Sequence, residues 1–377
     1  MNHKHNRDTI AITDLGAYKR NLVKIREYTG SRVRLMAVVK ANAYGHGMIE
    51  CARTALDAGA SMLGVALASE GVALREAGIT APILVFSAES YDYFEMLICN
   101  NLTITLISGE MLIKLGKELK RLNASCTVHI NVDTGMGRVG VKYKEAFKLT
   151  RDASDNKNIT IEGIYSHFPS ADEDRDEYSL NQIVLFKNLI GELEQNGLRP
   201  PFVHMCNSAA TLKFPQAHFD IVRPGIMTYG LIPYIGSQEK LILEPVLSFV
   251  SKIGFIKKVP AGYPVSYGGT FVTERPSVLA TVPVGYGDGF NRHLSNNGRA
   301  IINGKSVPVA GRVCMDQTVF DVTDAGKVSV GDQVILIGKD GNEQIVTEEH
   351  AEIAGTITHE IVTGITGRVS RIYKETT

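Results

Sequence analysis

The sequence predicts an α/β fold, an N-terminal (β/α)8 barrel followed by a C-terminal β-rich domain. Three observations carry it. Short, nearly continuous apolar runs recur between about Val33 and Gly230, and there are eight of them. Strands covered on both faces read this way, because neither side meets water. Amphipathic stretches separate most of the runs, and eight repeats of strand then helix match a barrel of parallel strands. After about Lys240 the texture changes to strand-like runs punctuated by glycine-containing turns, the pattern of a separate β-rich domain. A doubly wound sheet reads similarly strand by strand and stays open at this level.

In chain order the apolar runs are VRLMAVVK, SMLGVAL, APILVFS, LTITLIS, CTVHINVD, ITIEGIYSH, PFVHMCNS and FDIVRPG. Between them, MIECARTALDAG and KYKEAFKLTRDAS read as helices, and ADEDRDEYSLNQIVLFKNLIGELEQNG as an acidic loop entering a long helix. The charge run of that loop is most simply a solvated face. Beyond Lys240, PVLSFVSKIGFIKKV, SVLATVPVGYG, RAIINGKSVPVAGRV and DQVILIGKDG read as strands, with TEEHAEIAG the one clear helix. The expected division is a barrel over 14–240 and a β-rich domain from 1–13 together with 241–377. No low-complexity stretch or long linker separates the halves, so close packing of the domains is expected.

At 377 residues and roughly 150 per domain, two or three domains are expected. Hydrophobic residues make up 44% and charged residues 21%, enough to bury a real core. Lys plus Arg and Asp plus Glu both number 40. That balance, with no basic block, argues against nucleic acid or an anionic membrane as the main partner. No apolar run approaches the ~18 residues that cross a bilayer. The opening MNHKHNRDT is polar and unlike a signal peptide, so a soluble, cytoplasmic protein is expected. Five scattered cysteines never form C-x-x-C, and ten histidines include no H-E-x-x-H. Neither a disulfide framework nor a metal site is expected, and His3 with His5 falls in a terminus expected to fray.

In a barrel, functional side chains belong at the C-terminal ends of strands. Those ends present Lys40, the stretch Asp133 to Arg138, His167, Asn207 with Ser208, and Arg223. Lys40 closes an apolar strand, where a lysine can lose proton affinity and act as a nucleophilic amine. The plain alternative is a strand-end lysine reaching solvent. GMGRVG at 135–140 matches G-x-G-x-x-G, but a lone match is weak. Its strand is fifth in the series, and VDT precedes the glycines. A glycine-rich loop that turns Arg138 toward the barrel mouth is preferred over a dinucleotide site. Gly225 beside a strand end exposes backbone N–H groups suited to phosphate. Ser208, before AATLKF, has an N-cap as its default role, which is compatible with phosphate binding at a helix start.

The segment AVVKANAYGHG at 37–47 is very similar to the cofactor-lysine segment of alanine racemases. The resemblance continues, in the family's order, through VDTGMGRVG, YSHFPSADE, HMCNSAAT, VRPGIMTYG, VSYGGTF, VGYGDGF and GRVCMDQ. It covers nearly the whole chain. It implies an isomerase that interconverts L- and D-alanine on pyridoxal 5'-phosphate, with Lys40 the lysine linked to the cofactor. Tyr44, Asn207, Ser208 and the backbone of Gly225 and Ile226 match the cofactor and phosphate contacts. Arg223 matches the arginine facing the pyridine nitrogen. Arginine stays protonated, so that nitrogen does not, and the weaker electron sink disfavours transamination. Lys40 and Tyr267 match the two bases, serving the D- and L-enantiomer faces respectively. A free tyrosine has a pKa near ~10, and the family's help comes through a relay matching His167 and Arg223. Arg138 matches the support of the cofactor oxygen and substrate carboxylate, with the Met315 N–H as a second donor. Tyr286 and Asp316 match the substrate entrance. In the family the C-terminal groups reach the partner subunit's site, which implies a homodimer with shared active sites. The implied product use is D-alanine for peptidoglycan precursors.

Two positions depart from the family pattern. Where many members carry a carbamylated lysine, this chain has Asn131, so Arg138 must be held by the Asn131 amide or by a bound anion such as chloride. The family's tyrosine near the phosphate aligns with His359, beside the substrate side chain, which leaves serine or a broader range as the alternative to alanine alone. An amino-acid decarboxylase of the same architecture would place a glutamate at Arg223. A non-catalytic cofactor carrier would not need the domain that supplies Tyr267.

Overall fold

The computed structural model describes residues 7–87 and 90–376; His3 and His5 lie outside them. The chain divides into two compact units. One comprises Tyr18–Ala43 and Met48–Glu244, the other Met1–Ala17, Tyr44–Gly47 and Pro245–Thr377.

The first unit is a closed barrel. Its strands are β1 (Arg34–Val38), β2 (Met62–Val65), β3 (Ile83–Val85), β4 (Thr103–Leu106), β5 (Cys126–Asp133), β6 (Ile159–Tyr165), β7 (Phe202–His204) and β8 (Ile221–Val222). Each pairs in parallel with its neighbour, and β8 returns to β1 through Ile221 opposite Arg34 and Val222 opposite Leu35. Closure settles the choice between a barrel and a doubly wound sheet. All eight strands coincide with the eight apolar runs. Met36, Met62, Leu84, Tyr165 and Ile221 form a buried cluster contributed by five of the strands. At one point the packing excludes any side chain: a Cβ on Gly163 would lie 2.5 Å from Nδ1 of His129.

The connecting helices follow from local signals. In Gly109–Leu122 the Ser108 hydroxyl accepts from the Met111 N–H, Asn123 closes the helix in the left-handed conformation, and Met111, Leu112, Leu115 and Leu119 are buried. That spacing puts all four on one face. The long helix of the acidic segment runs Asp176–Gln195, with Asp176 and Glu177 in its first turn, where carboxylates complement the helix dipole.

The second unit is β-rich. Its largest sheet orders the strands Lys305–Pro308, Arg299–Ile302, Gln333–Asp340, Leu247–Lys252, Ile10–Asp14 and Ser370–Lys374. Val250, Ile301, Ile335 and Ile345 form a core against it, with Ile10 and Ile12 alongside. A second helix, Thr358–Thr363, follows Thr347–Ala354; at six residues it is too short to show a helical period in the sequence. Among the described residues, no helix is long and apolar enough to cross a membrane.

Candidate active site

The barrel brings the sequence-predicted residues of that unit to one end. Lys40 follows β1, Arg138 lies in the loop after β5, His167 follows β6, Asn207 and Ser208 follow β7, and Arg223, Gly225 and Ile226 follow β8. All are at C-terminal strand ends, where a parallel barrel presents its site.

Lys40 opens an unusual turn. Ala41, Asn42, Ala43 and Tyr44 all have φ between 50 and 55°. A left-handed turn of side-chain-bearing residues costs roughly 1–2 kcal/mol per residue, so contacts must hold it. The Ala43 N–H donates to Val39 O at 2.8 Å, and the Met48 N–H to Asn42 Oδ1 at 2.9 Å. Burial, and then the positive charge of Arg138, lower the proton affinity of the Lys40 amine, while Glu70 opposes the shift. A larger share of free amine is the property a nucleophile or base needs.

Arg223 is held on several sides. It is buried, its Nη1 lies 2.7 Å from His204 Nδ1, and its Nη2 donates to Ser166 O at 2.8 Å and Met205 O at 3.2 Å. Nη2 also lies 3.3 Å from His167 Nδ1. Burial lowers Arg223 to about 10, so it remains a cation at neutral pH. Because a guanidinium only donates, Nδ1 of both histidines must accept, and each neutral ring carries its proton on Nε2. The His204 Nε2–H then donates to His129 Nδ1 at 2.9 Å, and the His129 Nε2–H to Glu162 Oε2 at 3.1 Å. Burial first, then Arg223, Arg138 and Lys40, pull His167 down to about 3. Burial followed by Arg223 and His129 holds His204 well below its usual value. Among the described residues no acceptor meets the Arg223 Nε–H, which leaves a donor for a ligand.

Ser208 does not cap its helix. Asn207 does, its side chain accepting from Ala210 N at 3.0 Å. The Ser208 hydroxyl instead accepts from the N–H groups of Gly225 at 2.9 Å and Met227 at 3.3 Å. With both lone pairs engaged, its O–H is left to donate. Gly225 thus contributes through Ser208.

The GMGRVG segment is not a dinucleotide loop. Asp133 Oδ1 accepts from Gly135 N at 2.9 Å and Gly137 N at 3.1 Å, so a carboxylate occupies the donors a phosphate would need. Arg138 stands exposed on this loop. Asn131 does not hold it: the Asn131 and Thr105 side chains both engage the Tyr165 hydroxyl, and no hydrogen bond joins Asn131 to Arg138.

The β-rich unit carries the remaining candidates. Tyr44 is buried, burial pushes its hydroxyl's pKa up, and its ring centroid lies 5.8 Å from that of the exposed His359. Tyr267, Met315 and Tyr286 are 70%, 52% and 41% exposed. The turn bearing Tyr286 lies directly on Cys314 and Met315: Tyr286 N donates to Cys314 O at 3.0 Å and Gly287 N to Met315 O at 2.9 Å. Gly285 permits the approach, since a Cβ there would sit 2.2 Å from Cys314 O. Buried Asp288 anchors the turn, accepting from Gly285 N at 3.1 Å and Arg7 at 2.6 Å. Arg368 reaches from Asp288 to Asp316, donating to the latter at 2.6 Å.

Sequence reasoning missed His204, His129 and Tyr165, which form the supporting layer beneath Arg223. Each lies within an apolar run, and only barrel closure shows that they meet.

Fold and site define a class: a parallel (β/α)8 barrel with a partly buried amine of lowered proton affinity at its C-terminal strand ends, beside cationic and hydroxyl donors. The comparisons with known proteins narrow the class. Residues 13–233 match the family described as "Alanine racemase, N-terminal domain", and residues 246–373 match "Alanine racemase, C-terminal domain". The alanine racemase of Halothermothrix orenii is 44% identical over 374 residues, covering 99% of both chains. The alanine racemase of Bacillus anthracis, solved with bound L-Ala-P, superposes with a TM-score of 0.92 at 39% identity, over 98% of this chain and 96% of that one. That of Bartonella henselae, with covalently bound pyridoxal phosphate, gives 0.87 at 30%, over 97% and 99%. The chain belongs to the alanine racemase family.

Proposed function

We infer that the protein is a pyridoxal-phosphate-dependent alanine racemase, moving the α-proton between two bases on opposite faces. The observation that carries this reading is Arg223, a buried cation surrounded by acceptors with its Nε–H left over. That donor suits an unprotonated ring nitrogen and argues against the carboxylate partner of a decarboxylase. Within the barrel unit Lys40 would link to the cofactor, and the outward O–H of Ser208 would meet its phosphate, with Asn207, Gly225 and Ile226 beside Ser208; Tyr44 and His359 of the β-rich unit are the further phosphate contacts of this reading. Bound there, pyridoxal phosphate supplies the electron-withdrawing ring that acidifies the α-hydrogen of a joined amino acid.

The chain's own groups do the remaining work. Lys40 Nζ takes or returns the proton on the face of the D-enantiomer. Tyr267 of a partner subunit serves the other face, and its exposure in the single chain supports that use. A neutral His167 with its proton on Nε2 can donate to the Tyr267 oxygen and so favour the phenolate. Arg138 and the Met315 N–H orient the substrate carboxylate, Tyr286 and Asp316 line its entrance, and a bound anion beside Arg138 replaces the family's carbamate, since Asn131 is engaged elsewhere. The reading includes a cytoplasmic homodimer with shared sites, making D-alanine for peptidoglycan precursors.

The test is absorption spectroscopy and chiral chromatography on the purified protein. Wild type should show visible cofactor absorption and interconvert L- and D-alanine. Lys40→Ala should lose both, because the covalent link and one base disappear together. Substantial racemisation by that variant would refute the assignment.

A further inference from the structure

Glu70 makes one contact that its local role does not require. It is the third residue of the helix Ala68–Glu76, the position from which a glutamate reaches back to cap the helix start. Its Oε2 does this, accepting from Ala66 N at 2.8 Å and Leu67 N at 3.1 Å. Its Oε1 crosses to a different strand end and accepts from Ala41 N at 2.6 Å. Ala41 is the residue after Lys40 and the first of the four left-handed residues. One carboxylate therefore ties the rim of β2 to the start of the strained turn after β1.

We propose that Glu70 is a positioning residue for Lys40, its Oε1 pinning the first amide of the left-handed turn and so fixing where the lysine side chain leaves the barrel. No ion pair or hydrogen bond holds the Lys40 Nζ among the described residues, so the amine's placement depends on its backbone. Val39 N donates to Gly64 O on β2 at 2.9 Å, and the Glu70 bridge continues that β1–β2 registration one step past the last ladder bond. Without it Ala41 is free to relax toward the right-handed region, which rotates the Lys40 backbone. Glu70 also supplies negative charge that opposes the lowering of the Lys40 proton affinity.

The inference rests on Lys40 being the cofactor lysine, and the experiment separates the two. Glu70→Gln and Glu70→Ala are compared with wild type as holoenzymes. In Glu70→Ala, kcat for alanine should fall about tenfold or more with KM nearly unchanged, the scale on which misplacing a reacting group acts. The pH titration of the visible cofactor band should move to lower pH. Glu70→Gln, which keeps one acceptor oxygen and the side-chain volume but not the charge, should recover part of kcat while keeping the titration shift, and carries the test if Glu70→Ala does not fold. In cofactor-free protein, Lys40 labelling by trinitrobenzenesulfonate, read by mass spectrometry, should speed up several-fold in both variants at pH 8, as loss of a nearby carboxylate releases free amine. A capping role alone would lower Tm while leaving kcat, the spectral titration and the labelling rate at wild-type values, and that result overturns the proposal. A wild type that neither binds the cofactor nor racemises alanine refutes the functional reading instead, and the labelling rates still decide the role of Glu70.

Discussion

The Arg223 guanidinium donates to Nδ1 of His204 at 2.7 Å, and this bond orders every proton behind it. It fixes the His204 tautomer, which fixes that of His129, and the chain ends on the carboxylate of Glu162. A buried cation is thereby linked to a partly exposed anion through two neutral rings, with no charge left unpaired along the way.

His204→Leu should break that order. It removes an acceptor from a buried cation, and an unmet buried donor costs about 1–3 kcal/mol, more when charged. Urea unfolding should show the loss. Racemisation should fall as Arg223 shifts, and His204→Asn, which restores an acceptor, should recover part of it. Unchanged stability and rate in His204→Leu would mean that the neighbouring carbonyls suffice to hold Arg223.

Neutral burial of His167 makes stability depend on pH. Its pKa is about 3 in the folded chain against an ordinary 6.5, so between those values the unfolded state binds more protons. The contribution is complete above pH 6.5 and is lost as pH falls toward about 3, at up to about 1.4 kcal/mol per pH unit. Unfolding measured from pH 7 to pH 5 should therefore show a shallower slope in His167→Asn than in wild type. Equal slopes would show that this imidazole titrates normally.

Tyr267→Phe should leave cofactor absorption intact and make exchange one-sided. In heavy water, α-proton exchange should persist for D-alanine and collapse for L-alanine. Equal residual exchange for the two enantiomers would remove Tyr267 from the role of second base. If sites are shared between subunits as proposed, mixing Lys40→Ala with Tyr267→Ala subunits should restore activity, because each mixed dimer would hold one site with both bases. A mixture that exchanges subunits yet stays inactive would exclude sharing of sites.

His359→Tyr should narrow the enzyme toward alanine. The imidazole sits against Tyr44 and is smaller than a phenol, which under the proposed function would leave volume beside a substrate β-carbon. One paired hydroxyl is worth ~1 kcal/mol, so kcat/KM for serine relative to alanine should fall by up to about tenfold. An unchanged ratio would leave His359 as a cofactor neighbour without a part in selection.

The barrel strands were legible in the sequence because burial on both faces demands unbroken apolar runs, and each of the eight runs became a strand. The strand ends were legible for the same reason: Lys40, His167, Ser208 and Arg223 interrupt or follow those runs. What lies within a run was not. His129 and His204 read as part of apolar segments, and Glu70 carried no signal of its own, because hydrogen bonds between strands 75 residues apart leave no trace in local periodicity. The left-handed turn after Lys40 was equally hidden, since Ala41, Asn42 and Ala43 carry no glycine to announce it. Sequence determined which residues reach the open end of the barrel. Tertiary structure decided how they are held there, because closure alone brings the first, second, fifth, sixth, seventh and eighth strands close enough for their polar groups to satisfy one another away from water.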